Sequence, residues 1–412
     1  MSTSESTFVD ADERTTVSAD DTPAEAALRA KVHAWMDEHA GQFGRAERHV
    51  RMVDTVEQAA AARAWQRELD TGGWSVPTWP AELGGRGMSS NEARIVREEE
   101  TRYAVPTGLF QVAALMVGPT LMAHGTSAQQ QRFLPAIRQG DHIWCQLFSE
   151  PDAGSDLASL RTRAVRDGDG WTVTGQKVWT SGAVASDWGI LLARTDPGAA
   201  RHRGITYLLC DMRSPGITVR PLVQINRAAH FNEVHLDGVR IPDDCVVGDV
   251  GEGWTVARTT LGAERMMIGS MNVADHVADV MAVARASGRS ADPVLRQDLV
   301  DLHVRATVLR YMGDRVLAAV RTGGQVGPEA STIKLGLSTF MGRLGDVAMR
   351  VLDGDGLLEG GLPRAPGHDS YGRLQDMFLG QWSSRIGGGT EQIQRNLIGE
   401  RALGLPRDPR PT

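Results

Sequence analysis

The hydrophobic pattern of this chain changes period twice, and that restricts the fold more than any other feature. From Glu25, apolar residues recur at helical spacing: Leu28, Val32, Trp35 and Met36 step i, i+4, i+7, i+8, the mark of one buried helix face. A second helical run covers 56–70. The breaker-rich segments Val76-Pro77-Thr78-Trp79-Pro80 and Gly84-Gly85-Arg86-Gly87 follow, and helical runs resume from Ser90 to Arg138. Near Trp144 the texture becomes that of strands. Asp167-Gly168-Asp169-Gly170 predicts a hairpin turn that Trp171-Thr172-Val173-Thr174 continues as a strand. Ile190-Leu191-Leu192, Thr206-Tyr207-Leu208-Leu209 and Asn232-Glu233-Val234-His235-Leu236 read as further short strands. After Gly251-Glu252-Gly253 the helical period returns. Leu295, Leu299, Leu302, Ala306, Leu309, Met312, Val316 and Val320 step by three or four along one long face. Helix, sheet and helix in sequence predict an α+β protein. Its parts are a disordered tail at 1–24, a helical domain at 25–143, a β domain at 144–249 and a helical domain at 250–412.

At 412 residues, 41% hydrophobic and 23% charged, the chain can bury a sizeable core. Its net charge of −7 lacks the basic footprint of a nucleic-acid binder. Cys145, Cys210 and Cys245 lie far apart without CxxC spacing, so neither a disulfide framework nor a metal site is expected. No apolar run approaches the ~20 residues that span a bilayer, so no membrane role is expected. Residues 2–24 are rich in Ser, Thr, Asp and Glu and carry no apolar h-region; the expected location is cytoplasmic.

Three motifs carry the chemistry. Gln146-Leu147-Phe148-Ser149-Glu150-Pro151-Asp152-Ala153-Gly154-Ser155-Asp156-Leu157 is a strand that ends in small residues, where backbone donors can approach a flat ring. Gly175-Gln176-Lys177-Val178-Trp179-Thr180-Ser181-Gly182 offers an aromatic body and two hydroxyls. Gly387-Gly388-Gly389-Thr390-Glu391-Gln392-Ile393-Gln394-Arg395-Asn396 opens on three glycines that permit close backbone approach. Together they resemble the signatures of the acyl-CoA dehydrogenase family, from about Glu25 to Arg407. The resemblance implies an N-terminal helical domain, a middle β barrel and a C-terminal four-helix bundle. It implies FAD, with Gln146, Phe148 and Ser149 along the isoalloxazine edge, Ser155 near the diphosphate and the CoA portion of the substrate, Trp179, Thr180 and Ser181 beside the ring, and Thr390 and Gln392 on the adenosine side. Glu400-Arg401-Ala402-Leu403-Gly404-Leu405-Pro406-Arg407 fits the family's C-terminal helix.

Two departures from the pattern matter. Many family members carry the catalytic glutamate where this chain has Gly388. A minority, of the isovaleryl-CoA and long-chain type, carries it on the helix after the β domain, and Glu264 in Leu261-Gly262-Ala263-Glu264-Arg265-Met266-Met267 falls there. Glu264 is therefore the expected base, with Arg265 at the edge of the acyl pocket. A carboxylate among Met and Ile side chains loses solvation, which raises its pKa. The second departure is the family's Arg-x-x-Phe-Gly, which completes a neighbouring subunit's FAD site. Here the arginine position is Ala286 or Ser287 and the Phe is absent; further on, Asp353 replaces a residue of a glycine-rich segment. Arg285, Arg289 and Arg350 are candidates to compensate.

The resemblance thus implies dehydrogenation of an acyl-CoA or acyl-carrier thioester between its α and β carbons. Glu264 takes the α-proton, the flavin takes the β-hydride, and an N–H near Gly388 and Gly389 holds the thioester carbonyl as an oxyanion hole does. An electron-transfer flavoprotein is the implied acceptor. The expected assembly is a homotetramer or dimer, or a heteromer with a related chain. Two other readings stay open: a flavin monooxygenase or oxidase on the same fold, and a non-catalytic partner subunit.

Overall fold

Thr22 and Glu25 begin the first helix, α1 (Pro23–Ala40). The Thr22 hydroxyl accepts from the Glu25 N–H while the Glu25 carboxylate accepts from the Thr22 N–H, a capping box. The helix therefore starts at Pro23, two residues before the apolar periodicity begins. The computed structural model describes residues 21–43, 56–106, 108–269, 273–321, 327, 330–358 and 370–407. The side chains of 56, 57, 265, 266, 268, 269, 317, 320, 321, 370 and 371 are outside that description, as are residues 1–20 of the expected tail.

The chain divides into two compact units. The first holds α1, Glu57–Phe110 and Pro135–Asp141. In it α2 (Val56–Thr71) and α3 (Ser90–Glu100) join α1 around Val32, Met36, Trp65, Leu69, Trp74 and Val96. Buried Arg29 ties α1 to α3 through Glu99 at 3.0 Å.

The second unit holds Gln111–Leu134 and the chain from His142 onward. A π-helical turn at Ala113–Val117 leads into α4 (Gly118–His124), and α5 (Ser127–Arg138) follows. Next come β1 (Trp144–Leu147), β2 (Arg163–Asp167), β3 (Gly170–Ser181), β4 (Trp188–Arg194), β5 (Ile205–Asp211), β6 (Ile217–Leu222), β7 (Phe231–Pro242) and β8 (Val246–Val247). They form one eight-stranded sheet in the order β6-β7-β3-β2-β4-β5-β8, with β1 parallel to β4. Asp167 pairs with Gly170, so the expected hairpin is present, whereas β6 and β8 left no readable signal in the sequence. Half of β6 is exposed, and β8 is two residues long.

Helix α6 (Gly253–Gly269) leaves the sheet. Then α7 (Ala274–Ala286), α8 (Pro293–Arg321), α9 (Ala330–Leu352) and α10 (Ser370–Ile386) share one core that includes Val280, Leu302, Phe340, Leu344, Val347 and Leu374. The expected α8 stripe is buried at Leu295, Leu299, Leu302 and Ala306; Leu309 is only partly covered, and Val320 is outside the description. The last helix, α11 (Glu391–Leu397), runs into a π-helical turn at Ile398–Ala402 and stops there. The helix expected to reach Arg407 thus ends early, where Gly404 turns left-handed (φ 68) and Pro406 lacks an N–H to donate.

Candidate active site

The helix that bears Glu264 is fixed one turn upstream. Thr260, fully buried, shares its hydroxyl with Thr120 of α4 at 2.8 Å and with the Tyr207 hydroxyl of β5 at 3.1 Å. Thr259 next to it meets His124 Nε2 at 2.8 Å. Burial pushes the Tyr207 phenol well above its usual range, so it remains a neutral hydrogen-bonding group. Four residues beyond Thr260, one helical turn on the same face, Glu264 Oε2 accepts from Gln146 Nε2 of β1 at 3.4 Å. Two residues 118 positions apart, one expected as the base and one expected on the flavin edge, are thereby brought together.

Strand β3 is locked to the segment that follows β1 by a buried ion pair. Lys177, with no exposed surface, donates to Glu150 Oε1 at 2.8 Å and to the Phe148 carbonyl at 3.0 Å. Glu150 also accepts from the N–H groups of Arg161 at 2.6 Å and Thr162 at 2.9 Å. Burial opposes the Glu150 charge, but the Lys177 ammonium and these donors outweigh it and hold the carboxyl below its usual value. Burial pulls Lys177 down to about 8 against the attraction of Glu150, so the pair is ionised at neutral pH. The Phe148 ring packs edge-on against Tyr207 and is 4% exposed, so the ring is part of the core. The Ser149 carbonyl accepts from the Val178 N–H at 2.9 Å, joining the two motifs directly.

Trp179 has φ 62, a conformation that bulky L residues rarely adopt, and it sits where the β3–β7 register is irregular. Holding it there costs on the order of 1–3 kcal/mol. The indole is 61% exposed and meets Phe231 edge-on, while its neighbour Thr180 points inward, 1% exposed, with Oγ1 unpartnered among the described residues. Ser181 is half-buried, and Ser155 is exposed. These features fit the flavin that the motifs imply: an aromatic face left open, and a buried hydroxyl in want of a partner.

In the glycine-rich motif, Gly388 and Gly389 both take left-handed φ, 63 and 89. Such values suit glycine, and any side chain at 388 would be strained. Thr390 caps α11 through Ile393 N at 3.2 Å, and Gln392 is exposed on its first turn. Glu391 is buried and paired with Arg385 at 2.9 Å, which first among its neighbours holds its carboxyl below the usual range. Lys334 of α9, 3% exposed, donates to the Ser384 carbonyl at 2.6 Å. Burial lowers its pKa, against the pull of Glu391 and Glu264. Arg265 belongs to α6, but its side chain lies outside the described residues. The three cysteines are free and buried, and burial raises the Cys145 thiol to about 12, so it stays protonated and unreactive.

The Lys177–Glu150 pair and the Tyr207–Thr260–Thr120 chain were not singled out by sequence reasoning. For the first a signal existed: Lys177 is the one charged residue of β3. No helix among the described residues is long and apolar enough to cross a membrane.

The order helical domain, sheet domain, helical bundle defines the class. Models of the acyl-CoA dehydrogenase N-terminal, middle and C-terminal domains match residues 22–141, 145–239 and 251–403. The acyl-CoA dehydrogenase IpdE1 of Mycobacterium tuberculosis is 39% identical over 387 residues, 92% of this chain and 98% of that protein. Among solved structures, the Tcur3481-Tcur3483 steroid ACAD superposes with a TM-score of 0.81 at 29% identity, covering 95% of this chain and 100% of that one. The ChsE4-ChsE5 complex from Mycobacterium tuberculosis gives 0.78 at 29% identity, with 95% and 100% covered. The chain belongs to the acyl-CoA dehydrogenase family, and it is an oxidoreductase of that class.

Proposed function

We propose that this chain carries out FAD-dependent α,β-dehydrogenation of an acyl-CoA or acyl-carrier thioester, with Glu264 as the base. The approach of Glu264 to Gln146 carries the reading. It sets the only carboxylate at either family base position against the strand expected to line the flavin. When bound, FAD supplies the acceptor for the β-hydride. The chain's own residues do the rest. Glu264 Oε2 takes the α-proton, and the Gln146 amide, which donates to that oxygen at 3.4 Å, orients the carboxylate. The N–H groups of the Gly388–Gly389 turn, without a protein acceptor among the described residues, hold the negative charge that develops on the thioester oxygen. Trp179 and Thr180 would hold the ring when FAD is bound. The alternative of a flavin monooxygenase gives Glu264 no task, since oxygen chemistry needs no α-proton base.

For assembly, the reading is an oligomer built with a related chain. It is supported by the cis ion pairs that occupy the arginines near Asp353, and by structural neighbours that are named as two-protein complexes. Electron-transfer flavoprotein is the acceptor carried over from the family.

The test is a screen of acyl-CoA thioesters with an artificial electron acceptor, using the chain alone and with a related chain. Steroid thioesters belong in the screen because one structural neighbour is named a steroid ACAD. Flavin released on denaturation and turnover of at least one thioester are expected. Protein that neither carries nor takes up FAD would move the chain to the partner-subunit reading.

A further inference from the structure

Trp179 keeps its left-handed conformation at a bulge. From Lys177 to Thr180, β3 takes three steps while β7 takes two, from Val234 to Asn232. A bulky residue stays at such a φ only where its surroundings over-determine it. On the N-terminal side of Trp179, Lys177 is tied to Glu150 at 2.8 Å, and the Val178 N–H donates to the Ser149 carbonyl at 2.9 Å. On the C-terminal side the anchor is Asn232, which is fully buried. Its Nδ2 donates to the Thr180 carbonyl at 3.0 Å and to the His230 carbonyl at 3.1 Å. The His230 carbonyl also accepts from the Gly182 N–H at 2.9 Å, so one amide joins both strands just past the indole. Reversing that amide would face Oδ1 with two carbonyl oxygens, so its donor role is fixed by its surroundings. Oδ1 itself has no partner among the described residues. Burying half an amide unsatisfied is costly, and a leucine would fill the same space without that cost. The donor half must therefore hold something that packing alone does not.

We infer that Asn232 is a positioning residue for the flavin: by gripping the Thr180 carbonyl it holds the bulge that turns the Trp179 indole outward, where the ring is received. This rests on the FAD-dependent reading above. Side chains alternate along a strand, so without the extra residue Lys177 and Trp179 would share one face. Here Lys177 and Thr180 are both buried and Trp179 is exposed, which only the bulge allows. A slip of one residue would exchange the two sides, sending the indole into the core and the Thr180 hydroxyl outward. Asn232 stands directly opposite Thr180 in the register, at the first pair beyond the irregularity. It is thus placed where it can block that slip.

The test measures the FAD dissociation constant of the full chain. Asn232→Leu keeps the buried volume and removes both donors. Two hydrogen bonds of ordinary strength set the expected loss of flavin affinity at about 10–100-fold. Trp179→Gly supplies the discriminating background, since glycine takes φ 62 without strain and does not need the clamp. There Asn232→Leu should cost less than about threefold, so the two substitutions are strongly non-additive. The visible circular dichroism of the bound flavin, which reports the surroundings of the ring, should move in Asn232→Leu toward that of Trp179→Gly. Asn232→Ser keeps at most one donor and should fall between wild type and Asn232→Leu, which keeps the test standing where the leucine variant fails to fold. If wild type binds FAD and the folded variants match it, or lose the same factor in the Trp179→Gly background, the inference falls alone. If wild type neither carries nor takes up FAD, the dehydrogenase reading falls and takes the inference with it.

Discussion

Glu264→Gln isolates the base. The substituted amide keeps the shape of the side chain, and its oxygen can accept the bond that Glu264 Oε2 takes from Gln146 at 3.4 Å. Because that bond is long and both groups are half-buried, folding stability should change by no more than about 1 kcal/mol. Loss of a general base costs about 10²–10⁴-fold in rate, which at 1.36 kcal/mol per decade is about 2.7–5.4 kcal/mol of barrier. The effect on turnover should therefore exceed the effect on stability several-fold. The assay is initial rate on a confirmed thioester with an artificial acceptor, beside flavin content, thioester affinity and exchange of the α-hydrogen with deuterated solvent. Rate and exchange should both collapse while flavin and thioester binding hold. A variant that keeps most of the wild-type rate, or that still exchanges the α-hydrogen, would show that another carboxylate is the base.

Lys177→Met strands the buried Glu150 carboxylate and releases the Phe148 carbonyl, so denaturant unfolding should show a loss of about 3–5 kcal/mol. Adding Glu150→Gln should recover part of that loss; strictly additive effects would mean the pair is not coupled. Glu150 and Glu391 are both held below their usual value of 4.5, so the unfolded chain binds more protons between the folded and unfolded values. Their contribution is complete above pH 4.5 and is lost as pH falls through the folded values, so the melting temperature should drop on that acid limb, and less steeply in the Lys177→Met/Glu150→Gln double variant. Gly388→Glu in the Glu264→Gln background tests the alternative base position. At φ 63 a side chain there costs about 1–2 kcal/mol of folding stability; a variant as stable as its Glu264→Gln parent would refute the strain argument.

The fold was legible where one period dominated. Leu28, Val32 and Met36 on α1, and Leu295, Leu299 and Leu302 on α8, announce their helices because each buries a continuous stripe. The Asp167–Gly170 hairpin was legible because turn chemistry is local. What escaped is non-local. The parallel pairing of Trp144 with Trp188 leaves no trace in either strand, and neither does the hydroxyl chain from Thr120 to Thr260, 140 residues apart. The strain at Trp179 is equally silent, since φ is set by the register break with β7 and not by the residue. The identity of the site residues was readable only through resemblance. Their geometry needed the fold, because Glu264 and Gln146 meet only once Thr260 has docked α6 on β5.

The departures from the family pattern cluster at one end of the bundle, and their electrostatics bear on assembly. Asp353 sits at φ 53, a conformation aspartate tolerates, and meets Arg289 Nη1 at 2.7 Å. The other arm of Arg289 donates to the Arg350 carbonyl at 2.9 Å, and Arg350 itself pairs with Asp298, as does Arg343. Arg289 and Arg350, two of the three arginines expected to offer charge to a neighbour's diphosphate, are thus engaged within their own chain, whereas Arg285 has no ion pair among the described residues. Such exposed pairs are worth at most about 1 kcal/mol each, so a diphosphate could displace them. What it could not recover is the guanidinium that is missing at Ala286 or Ser287. A symmetric oligomer of this chain would then offer each flavin fewer cationic donors than the family pattern implies, and retention should weaken steeply with salt. Co-expression with a related chain that carries the missing arginine should restore flavin retention at high salt. Flavin held equally well by the chain alone, across the same salt range, would refute the need for a second kind of subunit.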